Sequence, residues 1–406
     1  MRATKFSSIF LLLCLSLLLA GCWNSRELSD MGIVVGMGID KMPETNQYRV
    51  SFQIVNPGAI SMGSRSGGGR GAMPVTVYSD TGHTVFSALR KTSQKVSRQL
   101  FFAHIQLIVI SESLAKEGIQ DLFDVIERSH EFRLNSPIII SRETDAESVL
   151  KMILPLESTT AKGISKRMEI TTRVWAQTVN AEVKDVIKAL SGPGEPAISG
   201  VLITEDPKIG GSKSNLEKTK LPSYLVIRGV ALFEQGKLVH WLDGDKARGV
   251  LWILNKMKST VVNIPCEDKK EGTSIELIRS NTQIKVRMEN DNPVFHIAIR
   301  EEGNVTEVHC PVDLSKREEI VKLQNQWADE TKKEVMESIK AAQSKKIDIF
   351  GFGDAVKRTY PKGWSKMEKD WPTMFAESKI EVQVQAYVRR TGMRTKPYLK
   401  KEQSAH

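Results

Sequence analysis

Histidine, cysteine and long apolar runs are all scarce in this chain, and each scarcity closes off a class of function. The seven histidines (His83, His104, His130, His240, His296, His309 and His406) are scattered, with no His-x-x-x-His pair and no Cys-x-x-Cys, so the spacings that build a zinc site are missing. There is no Gly-x-Ser-x-Gly elbow. "GMGIDK" (36–41) starts like a dinucleotide fingerprint, but Lys41 stands where the third glycine belongs, and turn or strand glycines are the simpler reading. The loop "PGAISMGSRSGGGRGAMP" (57–74) lacks the Gly-Lys-Ser/Thr ending of a phosphate loop and reads as a flexible hairpin connection. "DGDKARG" (243–249) opens like a calcium loop without its closing glutamate, and helix capping accounts for it. His309 and Cys310 read as neighbouring strand residues. The expectation is a non-enzymatic protein without metal or cofactor.

The longest apolar stretch lies at the front. Arg2 and Lys5 precede "SSIFLLLCLSLLLA", which ends at Ala20. A spanning helix needs roughly 20 apolar residues, so this run is too short, and its basic front followed by small residues is the pattern of a secretory signal. It closes on Leu19-Ala20-Gly21-Cys22, the lipobox of bacterial lipoproteins. Small residues at Ala20 and Gly21 let an extended backbone enter a peptidase cleft, and the Cys22 thiol is the nucleophile that takes the lipid. Cleavage before Cys22 then frees its amine for N-acylation. Each buried methylene contributes about 0.8 kcal/mol and stable anchoring takes more than one acyl chain, which a diacylglyceryl thioether supplies. The mature chain has no second long run; "HIQLIVI" (104–110) and "VLWIL" (250–254) have core lengths. A folded body tied to the outer face of a membrane is expected.

The full chain of 406 residues carries a formal charge of +10, and loss of Arg2 and Lys5 with the signal leaves +8. Basic residues concentrate at the end (Arg389, Arg390, Arg394, Lys396, Lys400, Lys401) in what reads as a solvated tail able to meet anionic lipid or an acidic partner. Nucleic acid is a poor partner for an exported chain. Cys266 and Cys310 remain in the mature body. Contact between them is possible, but two lone thiols do not make a framework, so their pairing stays open.

Periodicity gives an α+β chain. Strands are expected at 32–41, 48–56, 75–80, 104–110, 136–141, 198–204, 224–234 and 237–242, the last two joined as a hairpin at Gln235-Gly236. More follow at 259–264, 273–279, 282–289, 293–300, 303–309 and 379–390. Helices are expected at about 82–99, 112–129 with a break at Gly118, 145–153 capped by Asp145, 159–169, 180–190, 244–257, 314–343 capped by Asp313, 348–359 and 363–370. "SGPGEPA" (191–197) is the clearest punctuation. The organisation read from this is signal peptide 1–21, an N-terminal α/β domain 22–195, a small middle domain 196–265, a C-terminal domain 266–393 of antiparallel sheet and long helices, and a basic tail 394–406. Each domain is expected to be a largely antiparallel sheet with helices.

Three stretches, in order, resemble one family. They are "GCWNSRELSDMGIVVGMGIDK" (21–41), "QLFFAHIQLIVISESLAKEGI" (99–119) and "DIFGFGDAVKRTYPKGWSKMEKDWPTMFAESKIEVQVQAYVRRTGM" (348–393). Together they are similar to the lipoprotein C subunit of bacterial spore nutrient germinant receptors. The resemblance implies three mixed α/β domains, a place on the outer face of the spore inner membrane, and two integral membrane partners, the A and B subunits. It implies that nutrients such as amino acids or sugars trigger the complex, leading to ion release and later cortex hydrolysis. The family has no established catalytic residues, so only the lipid-bearing position carries over, onto Cys22; whether this subunit touches the nutrient is left open. From Cys22 to Gly32 the chain reaches at most about 35 Å, so the first domain must lie close to the membrane. Two rivals remain: a solute-binding lipoprotein of a transport system, which would show two lobes around a cleft, and a cell-envelope hydrolase.

Overall fold

The computed structural model describes residues 30–56, 73–129, 131–266, 269–392 and 394. The first sheet grows from three runs that are apolar without alternation. β1 (Met31–Met42), β5 (Leu107–Ser111) and β6 (Pro137–Ser141) are buried on both faces and pair in parallel, and β8 (Ala197–Ile203) joins beside β6, also in parallel. Continuous Val/Ile/Leu runs suit a sheet covered on both sides. Antiparallel strands extend it outward: β2 (Gln47–Val55) and β3 (Val75–Gly82) beyond β1, β9 (Leu225–Glu234) and β10 (Lys237–Leu242) beyond β8. Short β4 (Gln99–Phe101) lies beside β1 and β7 (Ala181–Glu182) beside β6. The mixed α/β class is as expected. The strand directions are less antiparallel than expected, because the crossovers around β5, β6 and β8 return the chain in the same sense.

Helices cover both faces. α1 (Val85–Thr92), α2 (Glu112–Glu117), α3 (Gln120–Arg128) and α6 (Val183–Leu190) place Leu89, Leu114, Leu122, Phe123 and Val186 in the core with Met37, Ile108 and Ile140. α4 (Ala146–Lys151) and α5 (Thr160–Val174) cover the other face, packing Val149, Leu150 and Ile164 on Val35, Leu107 and Ile139. The fingerprint-like glycines are packing residues. A Cβ on Gly36 would stand 3.0 Å from Leu150 and Ala161, and one on Gly38 would stand 3.1 Å from Leu150. Helix α1 is shorter than its stripe suggests: Ser93 donates its hydroxyl to the Arg90 carbonyl at 2.6 Å and the helix ends there, leaving Val96 to pack from a loop. Gly118, at φ 138°, separates α2 from α3 where a break was expected. Asp145 caps α4 through the Ser148 amide at 2.8 Å, also as expected.

The strands on both sides of residues 191–197 belong to this one sheet, so that punctuation is a turn within it. Segment 196–265 divides its strands: β8, β9 and β10 complete the first sheet, and β11 (Val261–Cys266) opens the second. Between them come α7 (Pro207–Gly210), in the connection from β8 to β9, and α8 (Asp245–Ile253).

The second sheet runs β11, β12 (Lys269–Glu289), β13 (Asn292–Val308), β14 (Lys379–Arg390). The four short strands expected at 273–309 fuse into two long ones, because bulges near Ser274/Ile275 and Leu277/Arg279 bend the ladder without ending it. Asn290 and Asp291, at φ 49° and 62°, form the two-residue turn between them. The long helix α9 (Arg317–Ser344) lays Leu323, Trp327, Val335 and Ile339 on the inner face, against Ile275, Phe295 and Ile297. Its start is later than expected: Asp313 accepts from the Ser315 amide at 3.1 Å, in a turn that precedes the helix rather than capping it. β14 returns parallel to β13 after α10 (Phe352–Thr359), α11 (Pro361–Met367) and α12 (Trp371–Glu377). Residues 348–351 are not helical as expected but wrap the Asp348 carboxylate. It accepts amides from Phe350 and Phe352 at 3.1 Å, Gly353 at 2.7 Å and the Trp371 indole at 3.1 Å. Cys266 and Cys310, whose pairing was open, form a disulfide that ties the end of β11 to the residues after β13.

One buried core runs through both sheets. At the junction Arg248 on α8 and Glu334 on α9, both buried, form an ion pair, and Trp252 donates its indole N–H to Glu334 at 3.1 Å.

Candidate functional site

The expected lipid-bearing Cys22, with Leu19, Ala20 and Gly21 before it, lies outside the described residues, as do residues 57–72 of the Gly/Ser-rich loop. The described chain enters β1 at Met31, at the start of a central strand of the first sheet. Among the described residues no helix is long and apolar enough to cross a membrane, and no group of three or more His, Cys, Asp or Glu side chains could hold a metal.

Among the described residues a cleft of about 1160 Å³ lies between β3, α4, the loop around 152–158 and the segment 207–216 that begins with α7. Val75, Val77, Leu150, Leu154, Leu156 and Leu216 line its apolar part. Its polar end is built on Arg49, which stands opposite Asp40 in the β1–β2 register. The Arg49 guanidinium lies 3.0 Å from carboxylate oxygens of Asp40, Asp145 and Glu147. Asp40 is buried and also accepts the Ala146 amide at 2.7 Å. Burial pushes its carboxyl above the ordinary range, and the Ala146 N–H and Arg49 offset only part of that rise. Asp40 thus sits over the first turn of α4 in the place an anionic ligand would take.

A second cluster closes the neighbouring strand ends. Arg142, just past β6, holds Asp243 through two hydrogen bonds of 2.8 and 3.0 Å and lies 4.6 Å over the Trp241 ring. The Trp241 indole donates to Glu112 at 3.2 Å, and Glu112 begins α2 directly after β5. The carboxyl ends of parallel strands are where open α/β sheets usually receive ligands. Here they are filled by the chain's own charges. Asp243 and Asp245 of the calcium-like stretch are both committed to arginines, Asp245 to Arg248 at 2.8 Å. His309 lies 2.6 Å from Glu307, while Cys310 is in the disulfide. Asp40 and Arg49 escaped the sequence reading. An aspartate in an otherwise apolar strand, two residues after a glycine pair, was the available signal.

Comparison with known proteins decides the family. A family model described as spore germination protein N-terminal domain matches residues 24–203, and one described as spore germination B3/GerAC like, C-terminal, matches residues 228–392. The chain belongs to the GerAC-like family of spore germination proteins. Spore germination protein KC of Bacillus subtilis (strain 168) is 34% identical over 391 residues, which are 95% of this chain and 96% of that protein. Spore germination protein B3 of the same organism is 24% identical over 94% of this chain and 96% of its own. Among solved structures, the crystal structure of the GerBC protein aligns with a TM-score of 0.53 at 18% identity, covering 87% of this chain and 97% of that one, a likeness of fold. The gap between the two matches, residues 204–227, covers the excursion from β8 to β9 and the first residues of β9, inside the first sheet.

Proposed function

We propose that the protein is a lipid-anchored, non-enzymatic subunit of a spore nutrient germinant receptor, acting with membrane-spanning A and B subunits on the outer face of the spore inner membrane to trigger germination. The observation that carries this reading is the likeness to spore germination proteins along nearly the whole chain. The lipobox ending at Cys22 supports the anchor, and about ten residues of tether hold the first sheet near the bilayer. The Cys266–Cys310 disulfide suits a body that folds outside the reducing cytoplasm. The strand ends closed by Arg142–Asp243 and Asp40–Arg49 favour a docking and positioning role over catalysis.

Replacement of Cys22 by Ala is the direct test. The expected result is loss of acyl labelling, release of the protein from spore membranes and a defect in nutrient-triggered germination. Persistent acylation and membrane retention in Cys22→Ala would sink the anchor. Tight binding of a free nutrient by the lipid-free body would instead favour a solute-binding lipoprotein.

A further inference from the structure

The outer face of the second sheet is open to solvent, and its side chains are set in register across three strands. Gln283, Ala298 and Gln383 form one row, Asn281, Arg300 and Gln385 the next, and Arg279, Glu302 and Tyr387 the one after. Because Ala298 offers only a methyl group between two glutamines, the face sinks at its centre into a depression of about 530 Å³. The side-chain amides of Asn281, Gln283 and Gln383 hold no hydrogen-bond partner among the described residues. Free amides that both donate and accept match the N–H and C=O groups of a polypeptide backbone.

Charge gives the sign of the partner. Arg279, Lys285, Arg287, Arg300, Lys379, Arg389 and Arg390 outnumber Glu276, Glu289, Glu302 and Glu381 on this face. Three of the carboxylates are already engaged: Glu302 by Arg389 at 2.9 Å, Glu381 by Lys379 at 2.6 Å and Glu289 by Arg287 at 2.7 Å. Arg279, which lines the depression, faces Glu302 across the ladder and helps hold that carboxyl low without closing to ion-pair distance, while Lys285, two residues past Gln283 on β12, has no ion-pair partner among the described residues. Tyr387 stands with Arg300 at 4.9 Å and Arg389 at 5.8 Å from its ring, giving one end a flat, fixed wall. The apolar side chains here, Ala298 and Ile299 in the depression and Ile278 beside it, are few and set among amides and guanidinium groups, too little to enter a bilayer, so the chemistry fits a protein better than a lipid surface.

We propose that this face docks an acidic polypeptide segment of a partner protein, laid along β12 and over the depression at Ala298, with its carboxylates on Arg279 and Lys285. This goes beyond the receptor-subunit reading and does not depend on lipidation.

The test uses the full lipidated chain in detergent and a fluorescent peptide alternating Glu and Gln, with a Ser/Gln peptide as the neutral control, read by anisotropy. The acidic peptide should bind at least about tenfold more tightly than the neutral one. Ala298→Trp, which fills the depression and leaves every charge in place, should weaken binding about tenfold, as should Arg279→Ala combined with Lys285→Ala. Lys340→Ala, on α9 away from the face, should leave binding unchanged. Gln383→Ala serves as a second probe of the depression should Ala298→Trp fail to fold. Three results would overturn the proposal: no binding of the acidic peptide, equal binding by Ala298→Trp or Gln383→Ala and the parent, or displacement of the peptide by phosphatidylglycerol vesicles that bind Ala298→Trp as well as the parent.

Discussion

The two sheets solve opposite problems. The first buries both faces, and its helices approach so closely that Gly36 and Gly38 must lack a Cβ. The second buries one face under α9 and leaves the other to water, with alternate residues polar along β12, β13 and β14. A sheet covered twice spends its sequence on packing; a sheet covered once keeps every second residue available for a surface. The difference places the chain's mechanical demands in the first sheet and at the junction, and its chemical latitude on the outer face of the second.

That contrast can be broken first at the junction. Glu334→Ala should cost about 3 kcal/mol, because it leaves the buried Arg248 with the exposed Asp245 as its remaining counter-charge and the Trp252 indole unpaired. Urea unfolding measures it, and a loss under about 1 kcal/mol would mean that the pair does not hold the sheets together. Replacing Cys266 and Cys310 by Ser should cost about 3 kcal/mol, with faster hydrogen exchange confined to the second sheet. Exchange rising equally in the first sheet would contradict the division. In the first sheet, Gly36→Val should cost about 1–3 kcal/mol by overpacking Leu150 and Ala161. By contrast, Gln383→Ala on the open face should stay within about 0.5 kcal/mol in the same unfolding measurement.

A pH experiment sharpens the same comparison from inside the second sheet. Glu301 on β13 is fully buried, with Thr331 the one donor to it among the described residues, at 3.0 Å, and burial pushes its carboxyl well above the ordinary value of 4.5, Glu334 adding to the rise. The folded state therefore holds this proton more tightly than the unfolded chain does. Its stabilising contribution is complete below pH 4.5 and is lost as the pH rises through the raised folded value. Glu301→Gln should remove that part of the decline, so thermal melts of the variant should fall less between pH 5 and pH 8. A parent and variant with parallel profiles would show Glu301 ionised in the fold.

Much of this architecture was legible in the sequence where local chemistry decides it. β14 spans 379–390 as the alternation of "KIEVQVQAYVRR" requires, Gln235-Gly236 makes its hairpin turn, and Asp145 caps its helix. What escaped was set by partners distant in the chain. Nothing near residue 191 says that β8 will rejoin the sheet begun at Met31, since a Pro/Gly turn looks the same whether or not the next strand returns. Asp348 read as the start of a helix because its four donors come from a wrapped loop and from Trp371. The cleft's Arg49 became visible only once Asp40 was seen opposite it and Asp145 and Glu147 were brought over from α4. Cys22 rests on sequence chemistry alone.

The continuous core across the α8–α9 junction has a mechanical meaning. Close-packed interiors are nearly incompressible and pass strain along, and a buried ion pair with an indole clasp leaves no compliant layer between the sheets. Packing of this kind favours strain passing between the sheets over bending at their junction.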